Sequence, residues 1–133
     1  MDPEPVLAPA PAPATAAPLI TVTHSVSVSA THSLRSTVLN PVAAGKTYGV
    51  GQQLHAHLYT FHIAVSGALH PATGQLVLAE LVEDAVGMAL FDVLNHKNLD
   101  DVSWFLKRPS TLPNLALFAW RNLGVILRVH PVR

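Results

Sequence analysis

Two stretches of the chain alternate between polar and apolar residues, which is the pattern of a β-strand with one buried face. From Leu19 to Thr31 the polar positions hold serine or threonine, and the other face carries Val22, His24, Val26, Val28, Ala30 and His32. From Leu54 to Ser66 one face carries His55, His57, Tyr59, Phe61, Ile63 and Val65. Because successive side chains of a strand point to opposite faces, both stretches predict long strands of an antiparallel sheet.

Turn-forming residues flank these strands. Residues 33–53 are predicted to be a loop, because Asn40-Pro41 and several glycines interrupt any regular pattern there. A turn is predicted from Gly67 to Gly74, after which residues 75–78 pair back as a short strand and complete a hairpin.

The second half of the chain has the period of helices. Residues 79–93 repeat apolar side chains every three to four positions, with acidic residues near the start, where the helix dipole favours them. A second helix is predicted from Leu112 to Leu123, with Thr111 as its N-cap and Gly124 as its end.

The residues around these helices complete the fold prediction. Residues 95–101 are polar and are predicted to be a loop, and Val125 to Val129 is predicted to be a last strand. Strands followed by helices indicate an α+β domain in which the helices cover one face of an antiparallel sheet.

Composition divides the chain into an arm and one domain. Residues 1–18 hold six prolines and six alanines, which predicts a disordered, extended arm outside the fold. Residues 19–133 are long enough for a single domain, and half of the chain's residues are hydrophobic.

Charge and residue content exclude several classes of protein. Eight Lys and Arg balance eight Asp and Glu without forming a basic stripe, so we expect no nucleic-acid partner. There is no cysteine, which excludes disulfides and thiolate ligands. No apolar run is long enough to predict a membrane span, and the start of the chain does not resemble a secretory signal. The expectation is a cytoplasmic protein without a membrane partner.

Histidine is the one residue type that hints at chemistry. His55 and His57 lie two apart in a predicted strand, so their imidazoles share a face, and His32 ends the apolar face of the first strand. This spacing suits a metal site, although a His-x-His pair alone also occurs as surface decoration. The other histidines are expected to be structural or solvated, namely His24, His62, His70 and His130.

Five short motifs in register resemble one known family. They are Ser29-Ala30-Thr31-His32, His55-Ala56-His57, Pro71-Ala72-Thr73-Gly74, Leu94-Asn95-His96-Lys97-Asn98-Leu99 and Ser110-Thr111-Leu112-Pro113-Asn114. Their order and spacing resemble the 6-pyruvoyl-tetrahydropterin synthase and 6-carboxy-tetrahydropterin synthase family from about Ile20 to Val129.

The resemblance implies an architecture and a cofactor. The architecture is the tunnelling fold, in which a four-stranded antiparallel sheet carries two helices and copies assemble into trimers and hexamers that close a β-barrel. The cofactor is a catalytic zinc ion, Zn²⁺, held by three histidines that map onto His32, His55 and His57. Three imidazoles leave a fourth position open for an oxygen of a small-molecule substrate.

The chain departs from the family at groups that carry its chemistry. The usual cysteine before the second motif is absent, because residues 48–53 contain no thiol. Asn95 stands where family members have an aspartate that supports the charge of the histidine corresponding to His96. The glutamate that anchors the pterin ring near the C-terminus has no counterpart.

These observations give a leading functional hypothesis and an alternative. The leading hypothesis is a zinc-dependent lyase or cyclase whose metal acidifies a substrate, while His96, held by Asn95, moves the proton. Thr111 is a predicted N-cap, with substrate contact as its second role. The alternative is a catalytically inactive tunnelling-fold paralogue that binds a ligand or serves as a structural subunit. A third hypothesis is that the departures are engineered, or that a partner chain supplies the missing groups across the trimer interface.

Overall fold

Two long strands form the framework of the fold. The computed structural model describes residues 18–76 and 79–129. Within them, β1 (Ile20–His32) pairs antiparallel with β2 (His55–Gly67) along their full length. The predicted alternation is confirmed, since the inner face of β1 becomes buried towards its end while the outer face stays more exposed. We call this pair of strands the β1–β2 ribbon.

The third described strand differs from the prediction. A two-residue strand, β3 (Lys97–Asn98), pairs parallel with Ala30 and Thr31, so the described residues form a mixed sheet in the order β2-β1-β3. The four-stranded antiparallel sheet is therefore not what the described residues form. The predicted strand at 75–78 is not formed at Gln75 and Leu76, and Val77 and Leu78 lie outside the described residues, as do 1–17 of the predicted arm.

Part of the predicted 33–53 loop is helical. Helix α1 (Pro41–Tyr48) begins at Asn40, whose side-chain oxygen accepts a hydrogen bond from the Ala43 N–H at 2.8 Å. The helix ends at Gly49, whose φ of 55° is a left-handed conformation that glycine adopts at little cost. A short 3₁₀ helix (Gly49–Gln52) then leads to β2. The loop prediction was wrong here because it was based on the glycines of this segment and not on the N-cap signal of Asn40.

The first predicted helix is confirmed. Helix α2 (Ala79–Val86) continues through one π turn (Gly87–Phe91) into α3 (Asp92–Leu94). Its predicted apolar stripe is buried, including Val82, Ala85, Val86, Ala89 and Leu90. The predicted polar loop that follows contains β3 and a 3₁₀ helix (Leu99–Asp101), and a second 3₁₀ helix (Ser103–Phe105) precedes the last element.

The last helix is longer than predicted. Helix α4 (Leu112–Val129) runs through Gly124, so the predicted strand from Val125 to Val129 is wrong. A short apolar run fits a buried strand and a helix equally well, and periodicity does not separate the two. A glycine inside a helix costs only about 1 kcal/mol relative to alanine, which a packed helix tolerates.

The helices pack on the inner face of the ribbon and form the core with it. The core contains residues of β1, α2, α3 and α4 together with residues of the connecting segments: Val28, Ala30, Val82, Val86, Ala89, Leu90, Leu94, Leu99, Phe105, Leu115, Phe118, Ala119 and Leu123. This packing confirms the α+β class and leaves the other face of the ribbon open. Among the described residues, no helix has both the length and the apolar character that crossing a membrane requires.

Candidate metal centre

Three histidines meet at one end of the β1–β2 ribbon. His32 ends β1 directly opposite His55, the first residue of β2, and His57 lies on the same face two residues further along. The ring centroids are 4.5 Å apart for His32 and His55, 5.2 Å for His32 and His57, and 4.7 Å for His55 and His57. One ligand nitrogen from each residue lies within 4.8 Å of the other two. The structure thus brings together the three predicted metal-ligating residues.

His32 is held by Ser110, which lies just before α4. Its Nδ1 lies 2.8 Å from the Ser110 carbonyl oxygen and 3.1 Å from the Ser110 hydroxyl. Because a carbonyl oxygen only accepts hydrogen bonds, Nδ1 carries the proton and donates it. The other ring nitrogen, Nε2, therefore has a free lone pair, which is the form that binds a metal.

That free nitrogen is buried without a partner. Within the described residues, Nε2 of His32 has no hydrogen bond, although the side chain is only 5% exposed. An unsatisfied buried polar atom costs about 1–3 kcal/mol. A cation bound beside His55 and His57 would satisfy it, and three imidazoles are a donor set that suits zinc. The residues present therefore fit the zinc ion that the family resemblance implies.

The other two histidines complete the cluster in different ways. His55 donates from Nδ1 to the Gln53 carbonyl at 2.7 Å, which leaves its Nε2 available for a metal. His57 is exposed and packs its ring against His32, His55 and Tyr59. The centre is therefore buried on the His32 side and open to solvent on the His57 side, where a small molecule could enter.

Electrostatics keep His32 neutral. Burial of the ring is the main factor that lowers the pKa of His32 from its ordinary value of 6.5, and the neighbouring His55 and His57 lower it further. The hydrogen bond to Ser110 and the charge of Asp100 oppose this shift without reversing it. A neutral imidazole is the metal-binding form, so no proton has to be displaced at neutral pH.

Sequence reasoning gave no role to Tyr59, which lies beside the cluster. Its ring centroid is 5.5 Å from that of His57 and 6.2 Å from that of His32. Its hydroxyl is buried and has no hydrogen-bond partner among the described residues. Burial, with a smaller effect of Asp100, raises the pKa of Tyr59, so the hydroxyl stays protonated. The strand alternation predicted that Tyr59 shares a face with His55 and His57. It did not predict that the Tyr59 hydroxyl has no partner there.

The predicted catalytic pair lies on the other side of β1. Asn95 and His96 form the turn before β3, and His96 adopts a left-handed φ of 60°. The His96 N–H donates to the Ser29 carbonyl at 2.6 Å, while the Asn95 side-chain oxygen accepts from the Ser29 N–H at 3.0 Å. Asn95 thus fastens the turn to β1 through the backbone. The exposed His96 is not part of the three-histidine cluster.

The remaining sequence predictions fall near the start of α4 and before β2. The Thr111 hydroxyl accepts from the Asn114 N–H at 3.4 Å, in agreement with its predicted capping role. The segment that lacks the expected cysteine forms the 3₁₀ helix of residues 49–52. This helix is fastened where the Leu34 N–H donates to the Gly51 carbonyl at 2.8 Å.

Comparison with protein families agrees with this geometry. Residues 21–133 match the family model described as 6-pyruvoyl tetrahydropterin synthase. A solved structure of 6-pyruvoyl tetrahydropterin synthase from Caenorhabditis elegans superposes with a TM-score of 0.80 at 27% identity. The match covers 83% of this chain and 80% of that one.

Individual relatives give the same result. The chain is 34% identical over 111 residues to the 6-pyruvoyl tetrahydrobiopterin synthase of Homo sapiens, which covers 81% of this chain and 77% of the human protein. It is 33% identical over 110 residues to the Drosophila melanogaster protein of that name, of which it spans 66%. Together, these matches and the histidine cluster establish that the chain is a divergent member of the 6-pyruvoyl tetrahydropterin synthase family.

Proposed function

We propose that this chain is a zinc-dependent lyase of the 6-pyruvoyl tetrahydropterin synthase superfamily. Its substrate would be a small oxygenated molecule, either pterin-like or not a pterin. The observation that carries the proposal is the buried, unpartnered Nε2 of His32 within a cluster of three imidazoles. The names of its relatives, which are synthases of tetrahydropterins and tetrahydrobiopterins, support the reaction class.

Three histidines would hold the ion, each with a distinct contribution. His32 and His55 are oriented by hydrogen bonds from Nδ1 to backbone carbonyls, whereas His57 borders solvent. When bound, zinc supplies a Lewis acid that polarises a substrate oxygen and acidifies a neighbouring C–H or O–H group. The open side at His57 would admit the substrate, and Thr111 is proposed as a contact for it.

His96 is the proposed proton carrier. Its backbone is fixed by the hydrogen bonds of the Asn95–His96 turn to Ser29, which leaves the exposed imidazole free to accept or donate a proton. Because His96 lies outside the cluster within one chain, the reaction requires either movement of its side chain or delivery of His96 by a neighbouring copy.

A homo-oligomer, trimer or hexamer, is part of this proposal. Strand β2 is at the edge of the sheet, and among the described residues its outer side has no paired strand. Such an edge invites pairing with another chain. Between β2 and α4 lies a largely apolar groove of about 560 Å³, bordered by Leu58, Leu112 and Trp120, and Trp120 is 75% exposed. A neighbouring copy would cover this surface.

Metal analysis of the purified chain tests the zinc proposal. We expect about one zinc ion per chain after purification without chelators, because a catalytic site of three imidazole ligands is normally filled. A content below about 0.2 metal ions per chain, unchanged by dialysis against zinc, would overturn the enzyme hypothesis.

Two observations favour the second candidate, a catalytically inactive paralogue. The Asn95 oxygen is occupied by the Ser29 N–H, and the sequence has no thiol to act as a base. The two candidates differ in the effect of His96→Ala on a zinc-loaded protein supplied with pterin substrates. Loss of turnover with zinc retained supports the lyase, whereas the absence of turnover in the unmodified chain supports the paralogue.

A further inference from the structure

A chain of buried hydrogen bonds reaches the metal centre from its inner side. It runs from Asp100, in the 3₁₀ helix Leu99–Asp101, through Ser110 to His32, and the three side chains are 3%, 1% and 5% exposed. We propose that Asp100 and Ser110 are positioning residues, which fix the tautomer and orientation of His32 for metal binding. This inference rests on the proposed metal site, and it assigns a role to two residues that sequence reasoning did not single out.

The direction of each hydrogen bond is determined by its acceptor. The Ser110 hydroxyl donates its only proton to Asp100 Oδ1, at 2.8 Å. Its oxygen lies 3.1 Å from Nδ1 of His32 and, with its proton committed to the carboxylate, can only accept there. The Ser110 carbonyl, 2.8 Å from the same nitrogen, also accepts only. Both contacts therefore require the proton on Nδ1 and leave Nε2 free.

Asp100 is itself fixed in place. Its Oδ2 accepts from the Ser33 N–H at 2.8 Å and from the Ser33 hydroxyl at 3.1 Å. Its own N–H donates to the side chain of Asn98, which caps the 3₁₀ helix. Ser33 directly follows His32, so Asp100 is connected both to the backbone beside the metal ligand and, through Ser110, to its ring.

Charge gives the arrangement a second purpose. Asp100 is a buried carboxylate, and no lysine or arginine among the described residues forms an ion pair with it. An isolated buried charge is unfavourable unless hydrogen bonds and an opposite charge compensate it. A divalent cation on the far side of His32 would supply that opposite charge. In turn, a carboxylate behind a histidine ligand increases its basicity and metal affinity.

The experiment compares zinc affinity in variants that interrupt the chain of hydrogen bonds at two points. Asp100→Asn and Ser110→Ala should each weaken zinc binding about 10- to 100-fold, measured by competition with a chromophoric chelator. Ser110→Thr keeps the hydroxyl and should retain more zinc affinity than Ser110→Ala. Asp101→Asn and Ser103→Ala are the matched controls for Asp100→Asn and Ser110→Ala. They change exposed residues of the same types and should leave zinc affinity unchanged.

A second readout separates positioning from a merely structural role. The ¹⁵N chemical shifts of the His32 ring in the zinc-free protein report which nitrogen carries the proton. We expect Nδ1–H in the unmodified chain. In Asp100→Asn, the new amide can donate to Ser110, which frees the serine hydroxyl to donate to Nδ1. Because the Ser110 carbonyl still accepts from Nδ1, we expect a measurable fraction of the Nε2–H tautomer beside the Nδ1–H form, rather than a complete change.

Each outcome decides one hypothesis. If the unmodified chain binds no zinc, the metal-site proposal fails, and the tautomer measurement still judges the hydrogen-bond chain on its own. If the unmodified chain binds zinc and both variants bind it equally well with the proton still on Nδ1, the positioning role is wrong. A lower melting temperature with unchanged affinity and tautomer likewise overturns it, because only a structural role would remain.

Discussion

The two faces of the β1–β2 ribbon each place a histidine beside a serine, with opposite results. On the outer face, Nδ1 of His62 lies 2.9 Å from the Ser25 hydroxyl, and both side chains are exposed. On the inner face, Nδ1 of His32 bonds to Ser110 at a similar distance, but the ring is buried. The contact is nearly the same, so the contact itself does not make a site.

The two faces differ in the burial of their polar groups and in whether several imidazoles meet at one point. The outer face is a ladder of exposed hydroxyl pairs, such as Thr21 with Ser66 and Ser27 with Thr60, whose free groups reach water. On the inner face, a free nitrogen of His32 is shut away from water among further imidazoles. A group that water cannot satisfy must find another partner, and here a metal ion fits.

The largest expected effect is the loss of zinc affinity when His57, on the inner face of β2, is replaced. His57→Ala should weaken zinc binding by more than about 100-fold, because a direct ligand is lost. Loss of a residue that only supports a ligand costs up to about 100-fold. Isothermal titration of the zinc-free protein measures this affinity. The exposure of His57 makes its replacement tolerable to the fold.

His62→Ala is the matched control for that variant. It removes an exposed imidazole five residues away on the outer face of β2 and should leave zinc affinity unchanged. Equal losses in the two variants would mean that the faces do not differ, and the assignment of the metal to the inner face would be wrong.

Zinc should also stabilise the fold through the inner face. At a free zinc concentration 100 times the dissociation constant, the free energy of unfolding should rise by about 2.7 kcal/mol. For a domain of this size, that corresponds to an increase in melting temperature of about 10 °C. Differential scanning calorimetry with and without a chelator measures the change, which should be preserved in His62→Ala and absent in His57→Ala. An equal increase in both would point to zinc binding elsewhere.

The two faces were predictable from sequence because strand alternation is a local property. Residues two apart share a face whatever the rest of the chain does, so the placement of His55 and His57 followed from their spacing. The helical residues 79–94 were predictable for the same reason, whereas the residues after Gly124 were not, since a short apolar run fits either element.

The residues that support the metal centre could not be predicted from local sequence patterns. Ser110 lies 78 positions from His32 in the chain, and Asp100 lies 67 positions from Ser33. Nothing in the spacing of these residues marks them as partners, because their contact depends on how α4 and the 3₁₀ helix Leu99–Asp101 dock against the end of β1. Likewise, the separation of His96 from the cluster follows from the parallel pairing of β3, which the polar loop did not predict.

Tyr59→Phe should have a smaller effect, on the stability of the zinc-free protein. The Tyr59 hydroxyl is buried and unpartnered among the described residues, so its removal should raise the free energy of unfolding of the zinc-free protein by about 1 kcal/mol. Urea denaturation measures this. Tyr48→Phe is the control: among the described residues its hydroxyl is not one of the buried atoms without a partner, so its removal should change stability little. A loss of stability in Tyr59→Phe would mean that the hydroxyl has a partner in solution, such as an ordered water molecule.

The smallest expected effect is the pH dependence of the zinc-free protein. Burial lowers the pKa of folded His32 below its ordinary value of 6.5, so the unfolded chain binds a proton there more readily than the folded chain. The contribution of His32 to stability is therefore fully present above pH 6.5 and decreases as the pH falls below it. Urea denaturation between about pH 8 and about pH 5 should reveal this decrease, and His32→Gln should reduce it. His62→Gln controls for the loss of an imidazole as such. If His32→Gln retains the full decrease, protonation of His32 is not its source, and the buried environment that distinguishes the inner face from the outer face does not act on the ring in solution.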